Sequence, residues 1–168
     1  MEYNLRRLLG DTSFTVRPLG NDWFDPCDRF SGDDARSCYY WQPTWWTLFI
    51  PEQQESAFEP AFKHMADLCD SLSDKSFRYA CIAGTSFGLT LKRSPEQSVQ
   101  LCDSMYADAD ESLLCRINVG LASKTMLLQD PESACEGLPA KARAYCKTEV
   151  GKEGRQLPLV SPADLQSR

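Results

Sequence analysis

Residues 94–122 read SPEQSVQLCDSMYADADESLLCRINVGLA. Two helices and the bend between them can be read from this stretch. Ser94 stands where an N-cap belongs, Pro95 at the first helical position and Gln97 three residues after the serine. That is a capping box with the favoured proline. The serine oxygen accepts from an N–H that the helix leaves unpaired, and the proline gives up only an N–H that had no partner. Val99, Leu101, Cys102 and Met105 then line a buried side. Residues 106–110 form the connection, and a second helix is predicted over Glu111–Gln129, with Leu113, Leu114, Ile117, Leu121 and Met126 apolar.

The pattern recurs along the chain. The eight cysteines are Cys27, Cys38, Cys69, Cys81, Cys102, Cys115, Cys135 and Cys146, at intervals of 11, 31, 12, 21, 13, 20 and 11 residues. Short and long gaps alternate strictly. Eight cysteines allow 105 connectivities, and this alternation selects four short-range couples: 27/38, 69/81, 102/115 and 135/146. The first member of each couple is followed by an acid and then by a large apolar residue, as in Cys69-Asp70-Ser71-Leu72 and Cys102-Asp103-Ser104-Met105. The spacing between first cysteines is 42, 33 and 33 residues, a period that signals stacked helical hairpins. A bridge between the end of one helix and the start of the next closes a loop of about a dozen residues, worth roughly 3 kcal/mol in the chain-entropy account.

The expected fold is all-α: an array of about four antiparallel helical hairpins, each clasped by a disulfide. The domain organisation is a non-repeat segment over 1–25, the repeat domain over 26–154 and a tail over 155–168. Leu5, Leu8 and Leu9 have helical spacing before Gly10, and residues 12–23 read as irregular chain lying against the first repeat. In repeat one, Asp33 and Asp34 are candidate caps, and Pro43 is expected to kink or break the second helix. In repeat two, Phe58, Phe62, Met65, Leu68, Cys69 and Leu72 make an apolar stripe, followed by a helix over Ser76–Leu91. Repeat four starts at Asp130-Pro131, and its second helix, from Ala140 to about Lys152, is polar, as a terminal unit requires. The tail, with Pro158 and Pro162, is expected to be extended or mobile.

With 168 residues, 42% hydrophobic and 25% charged, the chain suits one globular domain. Its net charge of -6 argues against nucleic-acid partners. No run is long and apolar enough to insert in a membrane. Paired disulfides imply an oxidising home: periplasm, cell exterior, secretory lumen or mitochondrial intermembrane space. No secretory leader is read in residues 1–10. Structural zinc sites usually place cysteines two to four residues apart, a spacing absent here, and no metal or cofactor is implied.

The densest candidate binding cluster is Tyr39, Tyr40, Trp41, Trp45 and Trp46, which can form a stacking platform or pack beneath Phe14, Trp23 and Phe24. Asp28, Asp70, Asp103 and Glu136, one per repeat, can form an acidic ladder or sit as local carboxylates at the bends. His64 is the single histidine, and the pairing scheme leaves it no free cysteine for nucleophilic catalysis. No catalytic residue is assigned.

The cysteine couples Cys69/Cys81, Cys102/Cys115 and Cys135/Cys146, with small Gly84, Gly88, Gly120 and Ala122 in the second helices, resemble those of cysteine-rich Sel1-like proteins, relatives of tetratricopeptide arrays. The resemblance covers roughly residues 26–154. It implies a superhelical scaffold that binds a protein or peptide outside the cytosol. The alternatives are a small-molecule or glycan binder or enzyme with a pocket near the tryptophans, and a structural domain of a larger secreted protein.

Overall fold

The computed structural model describes residues 23–47, 50, 55–126, 130–153 and 158–159. The expected helix at Leu5–Leu9, the placement of Phe14, the start of repeat two near Glu52, residues 127–129 and most of the tail lie outside them. All regular structure among the described residues is helical: α1 (Gly32–Thr47), α2 (Glu55–Asp70), α3 (Lys75–Lys92), α4 (Pro95–Met105), α5 (Ala109–Thr125) and α6 (Ala140–Gly151), with 3₁₀ turns at Cys27–Arg29 and Pro131–Cys135.

Four disulfides, 27–38, 69–81, 102–115 and 135–146, join these elements in pairs, with Cα–Cα separations of 5.3, 5.5, 5.8 and 5.6 Å. Two units are full helical hairpins, α2–α3 and α4–α5. In the first and last units the leading arm is a 3₁₀ turn instead. Asp130 therefore caps no α-helix; it adopts the left-handed conformation (φ 48°) and its side chain makes no capping bond.

The second helices α1, α3, α5 and α6 stack side by side as an inner row, and the leading arms form an outer row against them. The inner helices run the same way. Tyr40 and Thr47 of α1 meet Gly84 and Gly88 of α3, and Lys124 at the end of α5 reaches the Val150 and Lys152 carbonyls at the end of α6. Local signals set the starts. Asp74 accepts from the Ser76 and Phe77 N–H groups, and Asp108 from those of Asp110 and Glu111. The capping box at Ser94 and Gln97 is present. Helix α5 thus begins two residues earlier than predicted, because Asp108 caps it.

The two central helices are buried almost all round, Tyr79–Thr90 in α3 except Phe87, and Leu113–Ser123 in α5 without a break. Their polar residues turn inward on their own helix. The Thr85, Ser86 and Ser123 hydroxyls donate to the carbonyls four residues back, at 3.0, 2.7 and 2.7 Å. Outer helix α2 contributes Phe58, Phe62, Met65 and Cys69 to the core, as its stripe predicts. In α4 the fully buried line is instead Pro95, Ser98 and Cys102, with Val99, Leu101 and Met105 flanking it. Ala80, Ala35, Tyr39 and the Cys27–Cys38 bridge form a smaller satellite core. Helix α6 buries only Cys146 and Val150, matching its polar sequence.

Pro43 does not end α1, which continues to Thr47. A proline inside a helix costs about 3 kcal/mol. Tyr39 and Trp46, both buried on the same helix, each return roughly 1.5–3 kcal/mol, so packing outweighs the lost hydrogen bond. The α1–α3 contact needs backbone proximity: a Cβ on Gly84 would overlap the Tyr40 carbonyl, and one on Gly88 would overlap the Thr47 methyl. Gly84→Ala is therefore expected to destabilise the oxidised protein by about 1–3 kcal/mol in urea unfolding, through overpacking against main chain. Gly32→Ala meets nothing within 4 Å and carries only the cost of its positive φ of 57°, about 1–2 kcal/mol. A Gly84→Ala protein as stable as wild type would show that α1 and α3 are not held this close.

Candidate functional site

The acids that follow the first cysteines are used at the bends. Asp70 pairs with Arg78 at 3.0 Å, Asp103 with Arg116 at 3.3 Å and Glu136 with Lys147 at 2.6 Å. The ladder is thus neutralised unit by unit, with three of its four carboxylates spent on cations of their own second helices. Asp28 makes no ion pair among the described residues.

Two of the cations also tie neighbouring units together. Arg78 donates to the Leu72 carbonyl at 3.0 and 2.8 Å and reaches Glu111 of the next unit at 3.4 Å. Burial pushes the Glu111 carboxyl above its ordinary value, while Arg78 pulls the other way. Arg116 is only 7% exposed. It donates to the Ala134 carbonyl at 3.2 Å and to the Glu136 carbonyl, both in the last unit, while its third nitrogen faces Asp103. One guanidinium therefore satisfies two carbonyls at the end of a 3₁₀ turn and one carboxylate, which its planar fork suits and an ammonium would not.

The five aromatic candidates divide between core and surface. Trp46 is 2% exposed and sits edge-on to Trp23 with ring centroids 5.7 Å apart. Tyr39 is buried and stacks on Phe77 at 4.9 Å. Phe24 touches both rings, so the residues just before the first cysteine do pack under this helix. Tyr40, Trp41 and Trp45 remain half-buried. Trp41 meets Tyr40 at 4.9 Å and Phe87 of α3 at 6.1 Å, both edge-on. Leu91, one helical turn past Phe87, is 45% exposed, the single large hydrophobic residue so exposed among the described residues. Trp41, Phe87 and Leu91 thus mark an apolar strip along α1 and α3, while Trp45 packs against the main core.

Two polar residues of α5 went unassigned in the sequence reading: Arg116 and Asn118. Both interrupt the apolar run from Leu113 to Leu121. Asn118 is 3% exposed. Its Nδ2 donates to the Leu114 carbonyl at 3.0 Å and to the Leu159 carbonyl at 3.2 Å, and its Oδ1 accepts from the Leu159 N–H at 2.9 Å. Leu159 is buried in the main core, so the tail is part of the array at this point instead of loose.

No group of three or more His, Cys, Asp or Glu that could hold a metal occurs among the described residues, and His64 is exposed with its ring against Trp23 at 5.1 Å. No helix of the described residues is long and apolar enough to cross a membrane. Compared with protein-family models, curated proteins and solved structures, the chain matches none.

Arg116→Ala leaves two carbonyls and Asp103 without their donor, and is expected to cost about 3–5 kcal/mol in urea unfolding. Arg116→Lys recovers only part of this, and full recovery would mean that a point charge suffices. A second expectation concerns pH. The hydrogen bond and charge of Lys147 hold the Glu136 carboxyl below its usual value of 4.5. Its folded pKa lies below the unfolded one, so the pair's contribution is complete above the unfolded value and is lost as pH falls through the folded one. Amide exchange in α6 should therefore accelerate relative to α3 on acidification below about pH 4.5, and Glu136→Gln should abolish that extra acceleration. Parallel pH profiles for α3 and α6 in wild type would refute the assignment.

Proposed function

We propose that this protein is a non-catalytic scaffold that binds a protein or peptide partner in an oxidising compartment outside the cytosol. The observation that carries the reading is the apolar strip of Trp41, Phe87 and Leu91 on a disulfide-bridged frame. Aromatic rings that are already half-buried lose little side-chain freedom when covered, which makes them good anchors. Four bridged units hold α1 and α3 in register, so the strip is organised before a partner arrives. The architecture also agrees with the resemblance to Sel1-like and tetratricopeptide arrays, whose members act as binding scaffolds. The four buried disulfides support a periplasmic, secreted, secretory-lumen or intermembrane-space home.

The test uses partners captured from the source organism's extracellular and periplasmic-type extracts under non-reducing conditions, each then titrated against purified full chain. Leu91→Asp alters an exposed position and should leave the melting temperature nearly unchanged. Together with Trp41→Ala it is expected to weaken the captured complex at least tenfold. An unchanged dissociation constant for a folded double variant would remove the strip from the interface and this reading with it.

A further inference from the structure

Asn118 does for Leu159 what a neighbouring strand does in an antiparallel sheet. It gives a donor to the C=O and an acceptor to the N–H of one residue. A single primary amide reaches both groups only where they point to the same side, as in extended chain. The remaining amide hydrogen goes to the Leu114 carbonyl, one turn back on α5, and that bond fixes which end of the amide is donor and which acceptor. All hydrogen-bonding capacity used here reads main chain, and the Leu159 side chain supplies the apolar contact. Pro158, just before it, has its φ locked at about −65° and no N–H of its own to satisfy.

Position in the repeat sharpens the point. Three residues past the second cysteine, α3 carries Gly84 and α5 carries Asn118. At Gly84 the neighbour is main chain, the Tyr40 carbonyl of α1. At Asn118 the neighbour is again main chain, but from a segment joined to the array only through residues 152–157. A mid-helix asparagine is a poor helix former, and its burial is unfavourable unless its amide is satisfied. Its presence at this place is explained by an extended segment beside it.

We infer that Asn118 of α5 is the centre of a seat for extended Pro-Leu segments, and that the chain's own Pro158–Leu159 is its resident, exchangeable occupant. The ligand class is an unstructured peptide presenting a leucine after a proline, read mainly through its backbone. Two neutral hydrogen bonds and one leucine make a contact that opens locally far more often than the whole array unfolds. The tether keeps the resident segment at high effective concentration, so a competing peptide binds weakly until the tail is displaced. The seat lies on α5, apart from the aromatic strip, and stands or falls independently of it.

Two measurements on the full-length oxidised chain test this. First, amide exchange at Leu159 in wild type should be at least tenfold slower than in the free peptide of residues 154–168, and Asn118→Ala should return it to the free rate while α3 stays protected. Second, the fluorescein-labelled 154–168 peptide should bind the full chain carrying Leu159→Asp, and bind wild type at least tenfold more weakly. Adding Asn118→Leu should abolish the binding, whereas Trp41→Ala should not change it. Exchange at the free rate in wild type overturns the inference without reliance on any variant. Equal binding to wild type and Leu159→Asp, no binding to a folded Leu159→Asp chain, or binding indifferent to Asn118 overturns it as well.

Discussion

Everything in this array rests on one repeated constraint: a covalent bridge that fixes each leading arm against the second helix of its own unit. Two of the four arms are single 3₁₀ turns of three and five residues. Such turns bury few side chains of their own, chiefly Cys27 in the first and Ala134 and Cys135 in the last. With Cα atoms held 5.3–5.8 Å apart, they nonetheless serve in place of a helix. The entropy removed from the unfolded chain, roughly 3 kcal/mol per loop of this size, is large against the total stability of an ordinary domain. The bridges thereby free the inner row to carry small residues. Gly84, Gly88 and Gly120 contribute almost no apolar area of their own, and their value is the distance they allow between helices.

The parts of the fold that were legible in the sequence are those governed by local rules. Strict alternation of cysteine gaps identified all four couples, because a bridge within a hairpin depends on chain separation. The capping box at Ser94 and Gln97 and the stripe of α2 followed from neighbours three and four residues away. Where tertiary packing competes with a local rule, the reading went astray. Pro43 is a helix breaker by itself, yet its ring is buried in a continuous helix that seats Tyr39 and Trp46 in the core. Asp130-Pro131 has the look of a helix start, but the backbone there turns through a left-handed residue into a short 3₁₀ turn.

The candidate sites divide along the same line. Clustering alone could not say which aromatics face inward, because α1 turns Tyr39 and Trp46 toward the core and leaves Trp41 and Trp45 at its edge. The partner of Asn118 was invisible for a different reason. It lies 41 residues away, beyond the last unit, and no periodicity links the two. Polar residues inside an otherwise apolar helix are the clue that such long-range partners exist. Arg116 and Asn118 occupy adjacent places in that category, one fastening the next unit and the other the tail.

The parallel run of the inner helices has an electrostatic consequence. Each helix carries a partial positive charge at its start and a negative one at its end, so α1, α3, α5 and α6 line up four like poles on the bend edge. That edge also holds Arg78, Arg116, Arg143 and Lys147. Its positive character is masked by carboxylates: Asp33 and Asp34 in the first turn of α1, the caps Asp74 and Asp108, and Asp70, Asp103 and Glu136 at the bends. The molecule is acidic as a whole, with a net charge of -6, but on this edge the acid is a veneer over an electropositive frame. The overall net charge of -6 therefore hides a local alternation of sign, in which each acid on this edge answers a cation or a helix start of the frame beneath it.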